Sequence, residues 1–316
     1  MKLKHLILTI ATATMANSSA FAADGSSDPI KIAINEWTGQ HISAHIAGQL
    51  LQKAGFNIEY VTAGAVPQFA AIAQGNLHLQ PEVWSNNVGD IYPKAVESGE
   101  IVKIGELGLQ PREGWMYPSY MTEKCPGLPA SSALIECAQV FAAPDTFPKG
   151  RLITYPADWG TRSKDLVENA GLPFQPIAGG SEGAMIAELK AAYTAKEPAL
   201  MMFWAPHWLH AELEMDWVEL PAPHANCDSE PEHGFDPGKT GDCGFEQASI
   251  GKIVWKDFGS KWPGALKLIE ALKIDNDTQN TLMLEVDNNK RDLEEVITEW
   301  VNNNESVWQS WVAAAQ

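Results

Sequence analysis

The chain has 316 residues, of which 45% are hydrophobic and 20% are charged, so it can bury a core and does not have the composition of a disordered segment. It carries 22 Lys and Arg against 40 Asp and Glu, a formal net charge of −18. So acidic a chain repels phosphate backbones and anionic lipid head groups, which argues against nucleic acid as a partner.

The first 22 residues have the pattern of a secretory signal peptide. Two lysines precede an apolar run over residues 6–10, and residues 20–22 fit a small-x-small cleavage site. No later stretch has the roughly 18 uncharged apolar residues that a membrane span requires. The cleavage point also has no Cys that would carry a lipid. We therefore expect export to the periplasm, without a direct membrane anchor.

The mature chain then alternates strand-like and helix-like patterns, which predicts an α/β layer with parallel strands. The predicted strands are 31–35, 57–61, 77–84, 151–155, 199–204 and 250–255. The predicted helices are 41–53, 66–74, 163–170, 182–195, 263–273, 277–287 and 292–315.

The alternation occurs in two blocks, and each block is long enough to be a folding unit. We predict an α/β fold of two lobes with a ligand cleft between them. Residues 23–120 together with 221–316 form lobe 1, and residues 121–220 form lobe 2. The chain crosses between the lobes near the strand 114–120 and near residues 217–221. Loops at the carboxyl ends of the strands would line the cleft.

Four cysteines lie in the mature chain, and in an oxidising compartment an even number suggests two disulfides. Three pairings are possible. We expect the local one, in which Cys125 pairs with Cys137 and Cys227 pairs with Cys243.

The chain contains 12 Trp, and five of them stand at the ends of predicted elements, where ligand loops are expected. These are Trp37, Trp84, Trp115, Trp159 and Trp204. Core packing explains any single one equally well, because Trp is highly buried on average. Five together favour a pocket.

Several aromatic faces around one cavity suit a cation that has no N–H to donate, such as a trimethylammonium group. The negative face of each ring attracts the charge, and each contact contributes about 0.5 to 2 kcal/mol. Three or four contacts with apolar burial approach the roughly 8 kcal/mol of micromolar binding.

Five segments carry a specific resemblance: IAINEWTG at 32–39, LHLQPEVW at 77–84, GWMYP at 114–118, GSEGAM at 180–185 and FWAPH at 203–207. Together they resemble the periplasmic substrate-binding proteins of ABC importers for quaternary and trimethylated amines, a family that binds glycine betaine, choline, carnitine or trimethylamine N-oxide. The resemblance implies a non-enzymatic protein whose two lobes close on the ligand, and a membrane permease as partner. We expect a monomer.

The resemblance also implies an aromatic box, which we place on Trp37, Trp84, Trp115 and Trp204, with Tyr117 and Trp159 as secondary candidates.

The acidic neighbours of the box bear on the ligand. Glu36 and Glu82 each lie within two residues of a box Trp and disfavour a ligand with a carboxylate. Choline-binding members of the family carry an Asp shortly after the first box Trp, whereas Gly39 stands two residues after Trp37. We rank trimethylamine N-oxide first, with glycine betaine and choline as alternatives.

A hydrolase is the alternative from another class, because residues 179–183 match G-x-S-x-G and would make Ser181 a nucleophile. Ser181 also stands where a helix pattern begins, which is typical of an N-cap.

The acidic loop 227–243 is a candidate site for a structural calcium ion, since calcium takes six to eight oxygen ligands. The candidate ligands are Asp228, Glu230, Glu232, Asp236 and Asp242. A solvated acidic hairpin held by a disulfide is the alternative. We expect no required cofactor.

Overall fold

The computed structural model describes residues 25–86 and 88–316, so the signal peptide predicted over residues 1–22 lies outside the described residues. The strands in chain order are β1 Ile30–Ile34, β2 Ile58–Thr62, β3 Leu79–Trp84, β4 Ile101–Glu106, β5 Arg112–Pro118, β6 Gly150–Thr154, β7 Phe174–Ala178, β8 Met201–Ala205, β9 Met215–Trp217 and β10 Ile250–Trp255.

The α-helices are α1 Thr38–Lys53, α2 Gln68–Ala73, α3 Ile91–Glu97, α4 Met121–Lys124, α5 Ser131–Cys137, α6 Arg162–Ala170, α7 Glu182–Ala195, α8 Leu209–Glu212, α9 Phe258–Lys261, α10 Pro263–Ala271, α11 Asn276–Met283, α12 Leu293–Asn303 and α13 Glu305–Ala314. Short 3-10 helices span Ala138–Phe141, Ala157–Trp159 and Pro231–His233, and a π-helical turn spans Leu284–Asn288.

Two five-stranded sheets with the same plan organise the fold. The first has the order β2-β1-β3-β10-β4 and the second the order β7-β6-β8-β5-β9. In each sheet the first three strands pair in parallel, as predicted. The fourth strand, β10 or β5, instead runs antiparallel to both of its neighbours. Each sheet is therefore mixed: the strands that alternate with helices pair in parallel as predicted, and one antiparallel strand is added that the alternating pattern did not indicate.

Each sheet forms the centre of one lobe, which confirms the predicted two-lobed α/β architecture. We call the part built on the first sheet lobe 1 and the part built on the second lobe 2. The chain crosses between the sheets after Glu106 and again after Trp217. Strand β5 pairs with β8 and β9, so it belongs to lobe 2 and not to the predicted lobe 1 range of 23–120.

The longest helix covers one face of the first sheet. Ile42, Ile46 and Leu50 of α1 recur at helical spacing and are fully buried. Helices α11, α12 and α13 pack against α1 from outside. Helix α1 therefore has a fixed position, and so does its first turn at the edge of the lobe.

The C-terminal helices differ in detail from the prediction. The helix predicted over 292–315 is interrupted at Asn304, whose φ of −121° and ψ of 35° are not helical. The helix predicted over 277–287 ends as an α-helix at Met283 and continues as the π-helical turn. That turn carries Asp287 to the boundary between the lobes.

Both predicted disulfides are confirmed: Cys125 pairs with Cys137, and Cys227 pairs with Cys243.

Within residues 25–86 and 88–316, no helix combines the length and apolar character needed to span a bilayer.

Candidate ligand-binding site

A cavity lies between the two lobes. Lobe 1 contributes Trp37, Ala65, Gln68, Glu82, Val83, Trp84 and Val88, and lobe 2 contributes Glu113, Tyr155, Trp159 and Trp204. Its volume is about 40 Å³, against the roughly 10 to 15 Å³ that one water molecule requires. The cavity therefore has room for a molecule of a few heavy atoms.

The lobe 1 wall is organised by one buried carboxylate. Glu82 is 1% exposed, and its Oε1 accepts hydrogen bonds from Nε1 of Trp37 at 2.9 Å and of Trp84 at 3.0 Å. Its Oε2 accepts from Oγ of Ser43 at 2.6 Å and Nε2 of Gln279 at 2.8 Å. Four donors offset the cost of burying the charge. They also fix the orientation of both indoles.

Local structure explains why these groups meet. Trp37 is the N-cap residue of α1, and Trp84 is the last residue of β3. Glu82 lies two residues before Trp84, and alternation along a strand places residues i and i+2 on the same face. Both therefore face the cavity.

Aromatic packing forms the lobe 2 wall. The ring centroids of Trp159 lie 5.7 Å from Tyr155 and 5.6 Å from Trp204, and Tyr155 and Trp204 are 5.6 Å apart. Trp159 also reaches across the cleft, because its ring lies edge-on to that of Trp37 with the centroids 5.2 Å apart. These distances lie in the favourable range for aromatic pairs.

A second carboxylate lies in the lobe 2 wall. The hydroxyl of Tyr155 donates to Oε1 of Glu113 at 2.8 Å. Burial and the neighbouring charge of Glu113 raise the pKa of Tyr155 well above its ordinary value. The hydroxyl therefore stays protonated and remains a donor.

The amide of Gln68, also in the wall, is committed to internal partners. Its Nε2 donates to the carbonyl of Ala65, and its Oε1 accepts from Nδ2 of Asn35 and Nε2 of Gln80. Within the described part of the chain, no Lys, Arg or His lines the cavity. The walls thus combine aromatic faces with two carboxylates.

Of the predicted box, the structure brings Trp37, Trp84 and Trp204 together with the secondary candidate Trp159 and with Glu82. Trp115 and Tyr117 are absent from the described lining, and both are fully buried in lobe 2.

Trp115 was misplaced because β5 runs antiparallel to β8. The register pairs Glu113 with Trp204 and Trp115 with Met202, so the start of β5 is the end that reaches the cavity. Trp115 lies two residues further into the sheet, where its Nε1 donates to Oγ of Ser163 in α6.

Glu36 is exposed and is not part of the described lining. Its Oε2 accepts from Nε1 of Trp159 at 3.3 Å, which is a contact between the lobes.

The sequence analysis missed six lining residues: the aliphatic Ala65, Val83 and Val88, and the polar Gln68, Glu113 and Tyr155. Tyr155 directly follows β6, so the strand-end criterion that selected the tryptophans, extended to Tyr, would have found it. Glu113 can be assigned to the cavity only from the register of β5, which pairs it with Trp204. Gln68 begins α2 and gave no signal in the sequence.

The five acids proposed as calcium ligands do not converge on one point. Glu230 instead pairs with His233 at 3.1 Å, and Asp236 pairs with Lys239 at 3.6 Å. Among the described residues, the groups with metal-ligand spacing are two different ones: His224, Glu230 and His233, and Glu182, His207 and Asp287. Calcium binding by loop 227–243 stays a prediction. An unchanged melting temperature on adding calcium to chelator-treated protein would contradict it.

Ser181 has the role of a helix cap. Its Oγ accepts a hydrogen bond from the backbone N–H of Ala184 at 3.2 Å at the start of α7. Its φ of −151° is ordinary extended backbone and not the strained turn of a nucleophile elbow. The hydrolase alternative has no support in this geometry.

The fold and the cavity define a two-lobed binding protein that encloses a small ligand between its lobes. The chain belongs to the OpuAC family, the substrate binding domain of ABC-type glycine betaine transport system, whose family model matches residues 28–303. It is 30% identical over 294 residues to the trimethylamine N-oxide-binding protein of Pelagibacter ubique (strain HTCC1062), covering 91% of each chain.

Solved structures with low sequence identity share the fold. A glycine betaine, L-proline ABC transporter binding protein from Borrelia burgdorferi superimposes with a TM-score of 0.73 at 17% identity, over 92% of this chain and 100% of that one. An ABC-transporter choline binding protein in complex with choline gives a TM-score of 0.73 at 15% identity, over 91% and 96% of the two chains.

Proposed function

We propose that this protein is an exported, monomeric binding protein that captures trimethylamine N-oxide and delivers it to a membrane permease. The observation that carries the proposal is the composition of the cavity: four indoles and a tyrosine with two carboxylates, and no cationic group in the described lining. Aromatic faces attract a methylated cationic nitrogen, and the buried carboxylate of Glu82 adds to the negative potential around it.

The donors in the walls argue against a ligand that carries a carboxylate. The indole N–H groups of Trp37 and Trp84 already donate to Glu82, and the amide of Gln68 donates to Ala65. A betaine carboxylate would lie near Glu82 and Glu113 without a cation to pair with. Burying an unpaired charge is costly.

The N-oxide oxygen of the proposed ligand is a strong acceptor and requires one donor. We propose that Glu113 takes up a proton together with the ligand and then supplies that donor, while its Oε1 keeps the hydrogen bond from Tyr155. The small cavity favours trimethylamine N-oxide over the longer choline and glycine betaine. The similarity to the Pelagibacter ubique protein supports the same choice.

Choline is a second candidate, because its hydroxyl would donate to an ionised Glu113. The variant Glu113→Gln distinguishes the two ligands. Its side-chain NH₂ imitates a protonated acid, so affinity for trimethylamine N-oxide should stay within about threefold of wild type, whereas Glu113→Ala should weaken it about tenfold or more. Binding of choline through an ionised acid would instead fall in both variants.

Isothermal titration with trimethylamine N-oxide, choline and glycine betaine tests the proposal directly. We expect trimethylamine N-oxide to bind tightest to the wild type. Glu123→Gln, a matched change at an exposed acid outside the cavity, should leave all three affinities unchanged. Tightest binding of glycine betaine or choline, or no binding of any of the three, would refute the proposal.

A further inference from the structure

A second set of contacts joins the two lobes outside the cavity. Glu182, the first residue of α7 in lobe 2, accepts through Oε2 a hydrogen bond from the backbone N–H of Thr38 in lobe 1 at 2.8 Å. Asp287 of lobe 1 accepts through Oδ2 from Nε1 of Trp208 in lobe 2 at 3.0 Å, and through Oδ1 from Oγ1 of Thr38 at 2.7 Å. Thr38 is therefore held from both lobes.

The contact with Glu182 completes a helix end. The first N–H groups of a helix lack partners within the helix and are usually satisfied by a side chain at the N-cap. Trp37 occupies the N-cap of α1, and within the described structure its side chain makes no cap hydrogen bond. Glu182 supplies the acceptor from the opposite lobe, with a negative charge at the positive end of the helix dipole. Helix α1 is thus capped by this side chain only when the lobes are together.

Glu182, His207 and Asp287 form a cluster, and the hydrogen bonding of His207 indicates whether this cluster is suited to binding a metal. His207 is 1% exposed, and its Nδ1 accepts a hydrogen bond from the backbone N–H of Leu209 at 3.1 Å. The ring proton is therefore on Nε2, which lies 3.3 Å from Oε1 of Glu182. A histidine that binds a metal through one nitrogen donates a proton from the other. The ring here has the opposite arrangement, so it is not suited to binding a metal, and within the described residues its Nε2 faces Glu182 without a hydrogen bond.

The cluster also contains an opposing force. Burial and the nearby Glu182 raise the pKa of Asp287, because two carboxylates in a partly dry site repel each other. The approach of the two carboxylates therefore opposes closure of the lobes, whereas the hydrogen bonds of Glu182 and Asp287 across the cleft favour it. Such a balance is suited to an equilibrium that a ligand shifts.

We propose that the hydrogen bonds of Glu182 with Thr38 and of Asp287 with Trp208 form an interlobe latch. This latch keeps the lobes closed after the ligand has entered and thereby sets the rate of ligand dissociation. Thr38, which the latch holds, directly follows Trp37, which lines the cavity. Closure of the two lobes therefore brings an indole to the ligand and a backbone donor to Glu182 in the same movement. The inference rests on the proposed function only in requiring that a methylated amine binds between the lobes.

Stopped-flow tryptophan fluorescence with trimethylamine N-oxide, choline and glycine betaine tests the latch. A hydrogen bond to a buried charge is strong enough to change a rate roughly ten- to a hundredfold. We expect Glu182→Ala to raise the dissociation rate by about tenfold or more and to change the association rate less than threefold. Glu182→Gln keeps an acceptor without the charge and should have a smaller effect.

Two further variants serve as comparison and control. Trp208→Phe keeps an aromatic ring, although a smaller one, and removes the donor to Asp287, so it should also raise the dissociation rate. Glu188→Gln makes the same change on the same helix at an acid whose partner, Arg151, lies within lobe 2, and should leave both rates unchanged.

Melting temperatures separate a latch from a merely structural role. A latch predicts that ligand-free Glu182→Ala melts at the wild-type temperature but gains less stability from ligand than wild type does. An unchanged dissociation rate in Glu182→Ala and Trp208→Phe, or a lowered melting temperature without ligand together with wild-type ligand stabilisation, would overturn the latch. Failure of the wild type to bind any of the three amines would instead refute the proposed function.

Discussion

The two walls of the cavity present similar aromatic surfaces but are built differently. In lobe 1, hydrogen bonds to Glu82 orient Trp37 and Trp84. In lobe 2, Trp159 and Trp204 are positioned mainly by contact with each other and with Tyr155. Hydrogen bonds that the indoles donate to a buried charge fix the direction of each ring, whereas ring packing fixes mainly its distance from its neighbours.

This difference suggests a division of roles between the walls. The lobe 1 wall is organised by groups within its own lobe, so it should keep its shape when the lobes separate. The lobe 2 wall meets lobe 1 through the contact of Trp159 with Trp37 and should adjust as the lobes close. Preorganisation of one wall reduces the ordering cost of binding.

Removing the indole that touches both walls should have the largest effect. Trp37→Ala eliminates a cation–π face, its buried area and the contact with Trp159, and we expect affinity to fall by about a hundredfold. Trp37→Phe, which keeps a ring but not the N–H, should lose about tenfold. Isothermal titration measures both. Trp37→Ala affinity within threefold of wild type would show that the ligand is not held against this wall.

Neutralising Glu82, which orients the indoles of the lobe 1 wall, should have the second largest effect on affinity. Glu82→Gln replaces an acceptor of four hydrogen bonds with a group that must itself donate, so we expect about tenfold weaker binding. The free energy of unfolding should fall by about 1 to 3 kcal/mol. Calorimetric titration and urea denaturation check the two quantities. Ser43→Ala, which removes one donor and leaves the carboxylate, should keep near wild-type affinity. Wild-type affinity in Glu82→Gln would contradict the role given to this carboxylate.

The corresponding change in the lobe 2 wall should have the smallest effect. Tyr155→Phe removes the hydroxyl that donates to Glu113 but keeps the ring that packs against Trp159 and Trp204. We expect less than a fivefold loss of affinity, measured by the same titration. A loss as large as that of Glu82→Gln would mean that hydrogen bonding also organises this wall and would remove the contrast between the lobes.

Much of this site could be predicted from the sequence, because indoles at strand ends are a local signal. Trp37, Trp84 and Trp204 follow that rule, and so does Trp159 in a short helix after β6. Glu82 was also a candidate from the sequence, and alternation along β3 places it on the same face as Trp84.

The remainder depends on long-range pairing that local patterns do not contain. The direction of β5 decides that Glu113 reaches the cavity and Trp115 does not, and that direction follows from pairing with β8, more than eighty residues later. The latch joins Thr38 to Glu182 and Asp287, residues that only tertiary packing brings together. Glu182 begins α7, and Ser181, one residue earlier, is the N-cap of that helix. This helix start explains why the sequence around Ser181 matched a catalytic motif.

The most direct test of the central claim is a crystal structure of the protein with trimethylamine N-oxide. The account predicts that the methylated nitrogen lies within about 6 Å of ring centroids from both lobes, Trp37 and Trp84 on one side and Trp159 and Trp204 on the other. A ligand outside this cavity, or one that touches the rings of a single lobe, would contradict it.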